Sequence, residues 1–232
     1  MRILALVTAR AGSKRVPGKN VRLLGGKPLV AWSLDVVRGL RDVCATLVSS
    51  DDERVSSIAR EAGALVPWKR PAELATDTAT SVDVALHALD WFEAERGSVD
   101  GLLLLQPTSP FRSRASVERG IELFRSGASR AVVSVSPALS HPMRCFRIEA
   151  GALLPFIPEF GEHTGSQGLP PAYVVNGALY LVSPVQLRES RSFFGPEAAP
   201  LVMDDAIEAI DIDTEQDWRE AECALLNLDS PG

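Results

Sequence analysis

Short, almost wholly apolar runs of strand length recur along this chain, each followed by a stretch with helical spacing. The runs are Ile3–Val7, Cys44–Ser49, Ala64–Pro67, Gly101–Leu105 and Ala131–Val135. They lack the polar alternation of a half-exposed strand, so they belong to strands covered on both faces, as in a parallel sheet. Between them, residues 28–40 read as a helix with Pro28 near its first turn. Asp51 reads as the N-cap of a second helix, with Val55, Ile58, Ala59 and Ala62 on its apolar face. Thr80 and Asp83 form a capping-box pattern ahead of Val82, Leu86, Leu89 and Phe92, and Val117, Ile121 and Phe124 mark a fourth helix. The βαβα rhythm predicts an open, mainly parallel sheet between two helical layers. Ligands of such sheets bind at the carboxyl ends of the strands, here the loops 8–20, 50–52, 68–80 and 106–113.

The second half reads differently. Residues 144–156 look like a hairpin, 157–171 a Gly/Pro-rich loop, and Tyr173–Val182 a long strand. Leu201–Met203 and Ala209–Ile212 are further strand candidates. Thr214 and Asp217 form a second capping box, opening a last helix with Trp218, Ala221 and Leu225 on one face. No linker divides the 232 residues, which predicts one domain over 1–232 with an excursion at about 140–200, a lid or a dimerisation arm.

Composition excludes several classes of protein. A net charge of −6 argues against a nucleic-acid binder, which needs a cationic surplus to displace counterions. No apolar run approaches the ~20 residues that span a bilayer, and Met1–Leu4 leads straight into a strand with no signal-peptide core. The expectation is a cytoplasmic protein with no membrane partner. Cys44, Cys145 and Cys223 are widely spaced, against a disulfide framework or structural zinc, and read as reduced core filler. The histidines are equally scattered, and His141, before Pro142, is placed to cap a turn.

The loop after the first strand, TARAGSKRVPGKN (8–20), holds Arg10, Lys14, Arg15 and Lys19 with no acid among them. With Gly12 and Gly18 allowing close backbone approach, it reads as a cradle for a polyanion such as a polyphosphate. It is neither a Walker A loop nor a dinucleotide fingerprint. In IDID (210–213), strand alternation puts Asp211 and Asp213 on one face, a geometry for Mg²⁺ or another divalent cation; a helix cap serves the spacing equally well. In LLQPTSPFR (104–112), Gln106, Thr108 and Ser109 bring amide and hydroxyl groups to a strand end. In RPAELATDTATS (70–81), Arg70, Thr78 and Ser81 lie within reach of a nucleotide. Turn chemistry alone explains either of these last two segments.

Taken in order, ARAGSKRVPGKN, SSDDERVSSIAREAGA, RPAELATDTATS, LLQPTSPFR, NGALYL, SFFG and IDIDTEQDW resemble the acylneuraminate cytidylyltransferase family, from residue 3 to about 220. The resemblance implies a Rossmann-like three-layer α/β/α nucleotidyltransferase fold and a cytoplasmic homodimer whose excursion crosses to its partner. It implies CMP transfer from CTP to the anomeric hydroxyl of a 2-keto-3-deoxy sugar acid, such as sialic or legionaminic acid, with release of pyrophosphate. Arg10, Lys14 and Asp211 would be catalytic. Ala9, Arg10, Gly12, Ser13, Lys14, Lys19, Asn20, Arg70 and Ser81 would bind nucleotide. Gln106, Thr108, Ser109, Arg144, Tyr173, Asn176, Phe193 and Phe194 would line the sugar side, and Asp211 and Asp213 would hold Mg²⁺. The sequence departs from the sialic-acid pattern at Ser166 and Val174, where that pattern carries Arg, and at Arg144, where it carries Lys. The departures touch the acceptor side and open two alternatives: a nucleotidyltransferase for another acidic sugar, or a nucleotide-binding regulator without turnover.

Overall fold

A computed structural model describes residues 1–127, 129–157, 168–195 and 197–228. The first half follows the predicted alternation. Strand β1 (Ile3–Thr8) leads through the cationic loop to a small hairpin, β2 (Leu23–Leu24) and β3 (Lys27–Pro28), and into helix α1 (Leu29–Val37). Then come β4 (Val43–Ser49), α2 (Glu53–Glu61), α3 (Ser81–Arg96), β5 (Gly101–Leu105), α4 (Arg114–Arg125) and β6 (Ala131–Pro137). The second half adds the hairpin β7 (Phe146–Glu149) and β8 (Ala152–Pro155), the long β9 (Tyr173–Val182), α5 (Pro184–Ser190), β10 (Ala199–Val202) and α6 (Glu215–Leu228).

Six strands form one sheet in the order β10-β6-β9-β5-β1-β4. β1 pairs in parallel with β4 and β5, and β10 with β6; β9 alone runs antiparallel, between β5 and β6. Period-two alternation explains the layers. Ile3, Ala5 and Val7 of β1 face a core built with α1, α2 and α4, whereas Leu4 and Leu6 face α3. Both faces are buried, as the unbroken apolar runs require.

A third, smaller cluster matters most for function. Val16, from the middle of the cationic loop, is fully buried against Leu24, Leu29, Phe111, Ile212 and Trp218. It joins the segment before α6 to the strand-end loops 8–20 and 106–113.

Five expectations change. Pro28 precedes α1, which ends at Val37 and does not reach residue 40. The N-cap of α2 is Asp52, whose carboxylate accepts from the Arg54 amide at 2.9 Å; Asp51 is drawn away to the Ala11 amide at 2.8 Å. Ala64–Pro67 makes a single bridge, Leu47 to Leu65, and no strand. Residues 209–212 are also not a strand: a turn leads into irregular backbone held by the Ile212 amide donating to the Thr108 carbonyl at 2.7 Å. The three cysteines are exposed and are not core filler. The capping boxes at Thr80–Asp83 and Thr214–Asp217, the 144–156 hairpin and the His141 cap on Pro142–Arg144 are present as expected.

Because Ile212 seals the third cluster, Ile212→Ala is expected to lower unfolding free energy by about 2–5 kcal/mol in urea titration. Wild-type stability of that variant would contradict the anchoring role given to the cluster.

Candidate functional site

The carboxyl ends of β1, β4 and β5 open on a crevice whose first wall is the cationic loop. Gly18 turns the chain at a φ of 65°, in the left-handed region where glycine is favoured, and starts a 3-10 turn over Lys19–Val21. Asn20 braces the loop from inside, its amide nitrogen donating to the Arg10 carbonyl at 2.9 Å. Ala9 is buried at the strand end, while nothing lies within 4 Å of a side chain built at Gly12. A cavity of about 420 Å³ results, lined by Arg10, Ser13, Lys14, Lys19 and Asn20 and, opposite, by Gln106, Thr108 and Asp213.

The 68–80 loop supplies a second wall. Asp77 bridges two cations of the first: Arg10 donates to one carboxylate oxygen at 2.7 Å and Lys14 to the other at 2.5 Å. Hydrogen bonds from Lys14 and Arg10 hold the Asp77 carboxyl below its ordinary range, so the bridge persists throughout neutral pH. Behind it lies a chamber of about 230 Å³ lined by Arg70, Ser81, Thr80, Thr76 and Val84. Arg70 is only 6% exposed and donates through Nε to the Ser49 hydroxyl at 3.0 Å and through Nη2 to the Ser49 carbonyl. Burial pulls its pKa down to about 10; Asp51 opposes the shift and Arg10 adds to it.

The third wall is the Asp211–Asp213 segment. Lys19, 8% exposed, donates from Nζ to the Ile212 carbonyl at 2.6 Å and to Asp213 at 3.1 Å, and Arg15 reaches the other Asp213 oxygen at 3.4 Å. Lys19 lines the predicted cradle, yet its ammonium is committed to this segment. Asp211 opens toward a neighbouring groove of about 550 Å³, with Val174, Val175 and Asn176 on its walls. Loss of solvent raises the Asp211 pKa; a hydrogen bond with Thr108 opposes the shift, and the charge of Asp213 adds to it. Gly177, at a φ of 74°, packs its Cα face against Gln106; a Cβ there would lie 3.2 Å from Gln106 Oε1.

The structure divides the remaining residues. Ser109 is buried, and its hydroxyl donates to the Asn176 carbonyl at 3.4 Å. The Asn176 side chain is used inside the sheet, accepting from Ser134 at 2.6 Å and donating to Ser136 at 2.9 Å. Phe193 is buried in the core beside Tyr180, and Phe194 touches the same ring from an exposed position. Arg144 lines a separate cavity of about 470 Å³ with His141, Leu169 and Pro170, and Tyr173 lies exposed at the start of β9. Ser166 falls outside the described residues.

Sequence reasoning passed over four residues here: Asp77, Asp51, Tyr180 and Arg112. The Tyr180 phenol is pushed up first by burial and then by the charge of Asp211. Arg112 lies under the Gln106 turn, and burial brings its pKa down to about 9. The only sequence signal for these was membership of segments already singled out.

A family model described as "Cytidylyltransferase" matches residues 4–116. The chain is 39% identical over 220 residues to the CMP-N,N'-diacetyllegionaminic acid synthase of Legionella pneumophila, covering 94% of each protein. It is 28% identical over 217 residues to the pseudaminic acid cytidylyltransferase of Campylobacter jejuni, covering 94% of this chain and 93% of that protein. Its fold matches a CMP:2-keto-3-deoxy-manno-octonic acid synthetase solved with CTP, with a TM-score of 0.70 at 15% identity, over 98% of this chain and 100% of that one.

Asp77 occupies Arg10 and Lys14, two cations that a polyphosphate in the crevice would meet. Asp77→Asn is expected to tighten binding of inorganic tripolyphosphate about two- to fivefold in low-salt calorimetry, the range of an exposed ion pair. Unchanged or weaker binding would show that Asp77 does not compete for Arg10 and Lys14.

Proposed function

The chain belongs to the acylneuraminate cytidylyltransferase family, and from that premise we propose that the crevice seats CTP against Arg10 and Lys14, with a nonulosonic acid of the legionaminic type as acceptor. The enzyme transfers CMP from CTP to a nonulosonic acid and releases pyrophosphate. The anomeric hydroxyl forms a new bond to the α-phosphorus while the bond to the β-phosphate oxygen breaks. Such chemistry depends on positioning and on offsetting charge.

The observation that carries the reading is the cationic loop at the strand end, fixed from below by Val16 and facing carboxylates across the crevice. Arg10 and Lys14 turn from Asp77 to the phosphates and offset the charge that grows on the departing pyrophosphate. Arg70 and Ser81 place base and ribose in the inner chamber, which Arg10 also lines. Gln106 and Thr108 face the acceptor. The likeness to the legionaminic acid synthase and the apolar Val174 favour that acceptor over sialic acid.

Among the described residues, no three His, Cys, Asp or Glu side chains converge on a metal position. Asp211 and Asp213 supply hard carboxylate oxygens that repel one another, a donor pair suited to Mg²⁺ completed by phosphate oxygens and water. A Mg²⁺ held by Asp211 and Asp213 would offset phosphate charge and make the attacking hydroxyl more acidic. Lys19 and Arg15 each pair with one Asp213 oxygen, contacts that a bound Mg²⁺ would have to share or displace.

We also propose a homodimer. The β7–β8 hairpin displays Phe146, Ile148, Leu153 and, just beyond it, Phe156, all exposed. A cluster of large apolar side chains on one arm is a surface that a second copy covers. Among the described residues, no helix is long and apolar enough to cross a membrane.

Pyrophosphate release with CTP, Mg²⁺ and a panel of nonulosonic acids tests the reading: turnover is expected with a legionaminic-type acid and CTP, and not with ATP, GTP or UTP. Asp211→Asn is expected to lower kcat by about a hundredfold or more with an unchanged melting temperature. Near-normal turnover of that variant removes Asp211 from the mechanism. Light scattering is expected to give twice the 25.0 kDa chain mass; a monomeric mass rejects the dimer.

A further inference from the structure

One buried charge has no part in the mechanism above. Arg112 is 3% exposed, yet its guanidinium forms no ion pair among the described residues. Nη1 donates to the Ser33 hydroxyl at 2.7 Å and Nη2 to the Gln106 carbonyl, while Nε is buried with no hydrogen-bond partner. A guanidinium kept in the interior on two neutral acceptors is costly, and an apolar side chain would fill the same volume at lower cost. Only the field of Asp211 offsets that cost, so the guanidinium's partners point to a task other than stability.

Its contacts indicate the task. Ser33 is a fully buried residue of α1, so Arg112 fastens the end of β5 to that helix across the root of the turn 107–111. The Gln106 carbonyl also accepts from the Ser109 amide at 3.3 Å, which closes the turn. The turn then makes each contact that fixes the crevice on this side. The Thr108 carbonyl accepts from Ile212, the Thr108 side chain bonds Asp211, and the Ser109 hydroxyl reaches the Asn176 carbonyl. The Gln106 side chain meanwhile abuts Gly177.

We propose that Arg112 is a positioning residue for CMP transfer: its buried guanidinium locks the Gln106–Phe111 turn, so that Gln106 and the Asp211 segment are held in register with the cationic loop. The assignment rests on the cytidylyltransferase reading. A planar fork that spans two acceptors on different elements cannot be replaced by the single point of a lysine ammonium.

The test uses the full chain carrying Arg112→Lys, with steady-state pyrophosphate release read beside amide hydrogen exchange by NMR. We expect kcat to fall about ten- to a hundredfold, the scale of a displacement near 1 Å, while KM for CTP stays within about twofold. Exchange of the Ser109 and Ile212 amides is expected to quicken about tenfold, with the β1 amides unchanged. Ser33→Ala removes one of the two Arg112 contacts together with the 3.5 Å bond from the Ser33 hydroxyl to the Gln106 carbonyl. If Arg112→Lys does not fold, Arg112→Gln, which keeps a planar donor without the charge, is read in the same way, and unaltered exchange at Ser109 and Ile212 in both Ser33→Ala and Arg112→Gln overturns the proposal. Unaltered exchange at Ser109 and Ile212 overturns the proposal, as does faster exchange with wild-type kcat. A wild-type chain silent with every acid overturns the cytidylyl reading alone, and the exchange rates then still decide whether Arg112 holds the turn.

Discussion

The contact on which the site depends is the buried ammonium of Lys19, which holds the Ile212 carbonyl and the Asp213 carboxylate from the opposite end of the chain. A lysine so enclosed has few ways to satisfy its donors, and here they define where the last irregular segment lies. Val16 and Ile212 add an apolar lock beside it. One loop of the first βα unit thereby fixes both the cationic and the acidic walls of the crevice. The rest of the fold, with both faces of the sheet buried, serves as the rigid frame that keeps those walls apart.

Charge is arranged in opposed pairs across that gap. Arg10 and Lys14 face Asp77; Arg15 and Lys19 face Asp213; Asp211 is left with its hydrogen bond to Thr108 and the more distant fields of Lys19 and Arg112. In this state the crevice is nearly self-neutralised. On the proposed reading, a triphosphate carried in with a divalent cation would change both halves together: the anion would take the place of Asp77, and the cation would relieve the repulsion between Asp211 and Asp213. Each wall is thus suited to a ligand with both signs of charge, as CTP with its metal is.

Much of this was legible in the sequence because it depends on local pattern. Apolar runs without alternation gave β1, β4, β5 and β6, and the capping boxes at Thr80 and Thr214 marked the starts of α3 and α6. The cationic loop was visible because four cations without an acid in one strand-end loop are unusual in an acidic chain. What escaped is tertiary. The bridge from Asp77 joins loops more than sixty residues apart. Asp51 was taken for a cap because Asp51 and Asp52 look alike locally, and the Ala11 amide decides between them. IDID alternates as a strand does, but the Ile212 amide is taken by the Thr108 carbonyl of a loop and not by a strand, so the segment settles as irregular backbone. Asn176 lies in a segment that the family resemblance marks as functional, yet its amide is spent within the sheet. Arg112 carries no local signal beyond its place at the end of LLQPTSPFR, since its importance arises from burial and from a partner on α1.

The central claim is that the cationic loop receives the triphosphate while the Asp211 segment faces the reacting phosphorus. A crystal structure of the full chain with CTP and Mg²⁺ tests it most directly. The account predicts the β- and γ-phosphates on Arg10 and Lys14, Asp77 released from both, and the α-phosphate on the side of Asp211 and Asp213. A triphosphate bound elsewhere, with the Asp77 bridge intact, would contradict it.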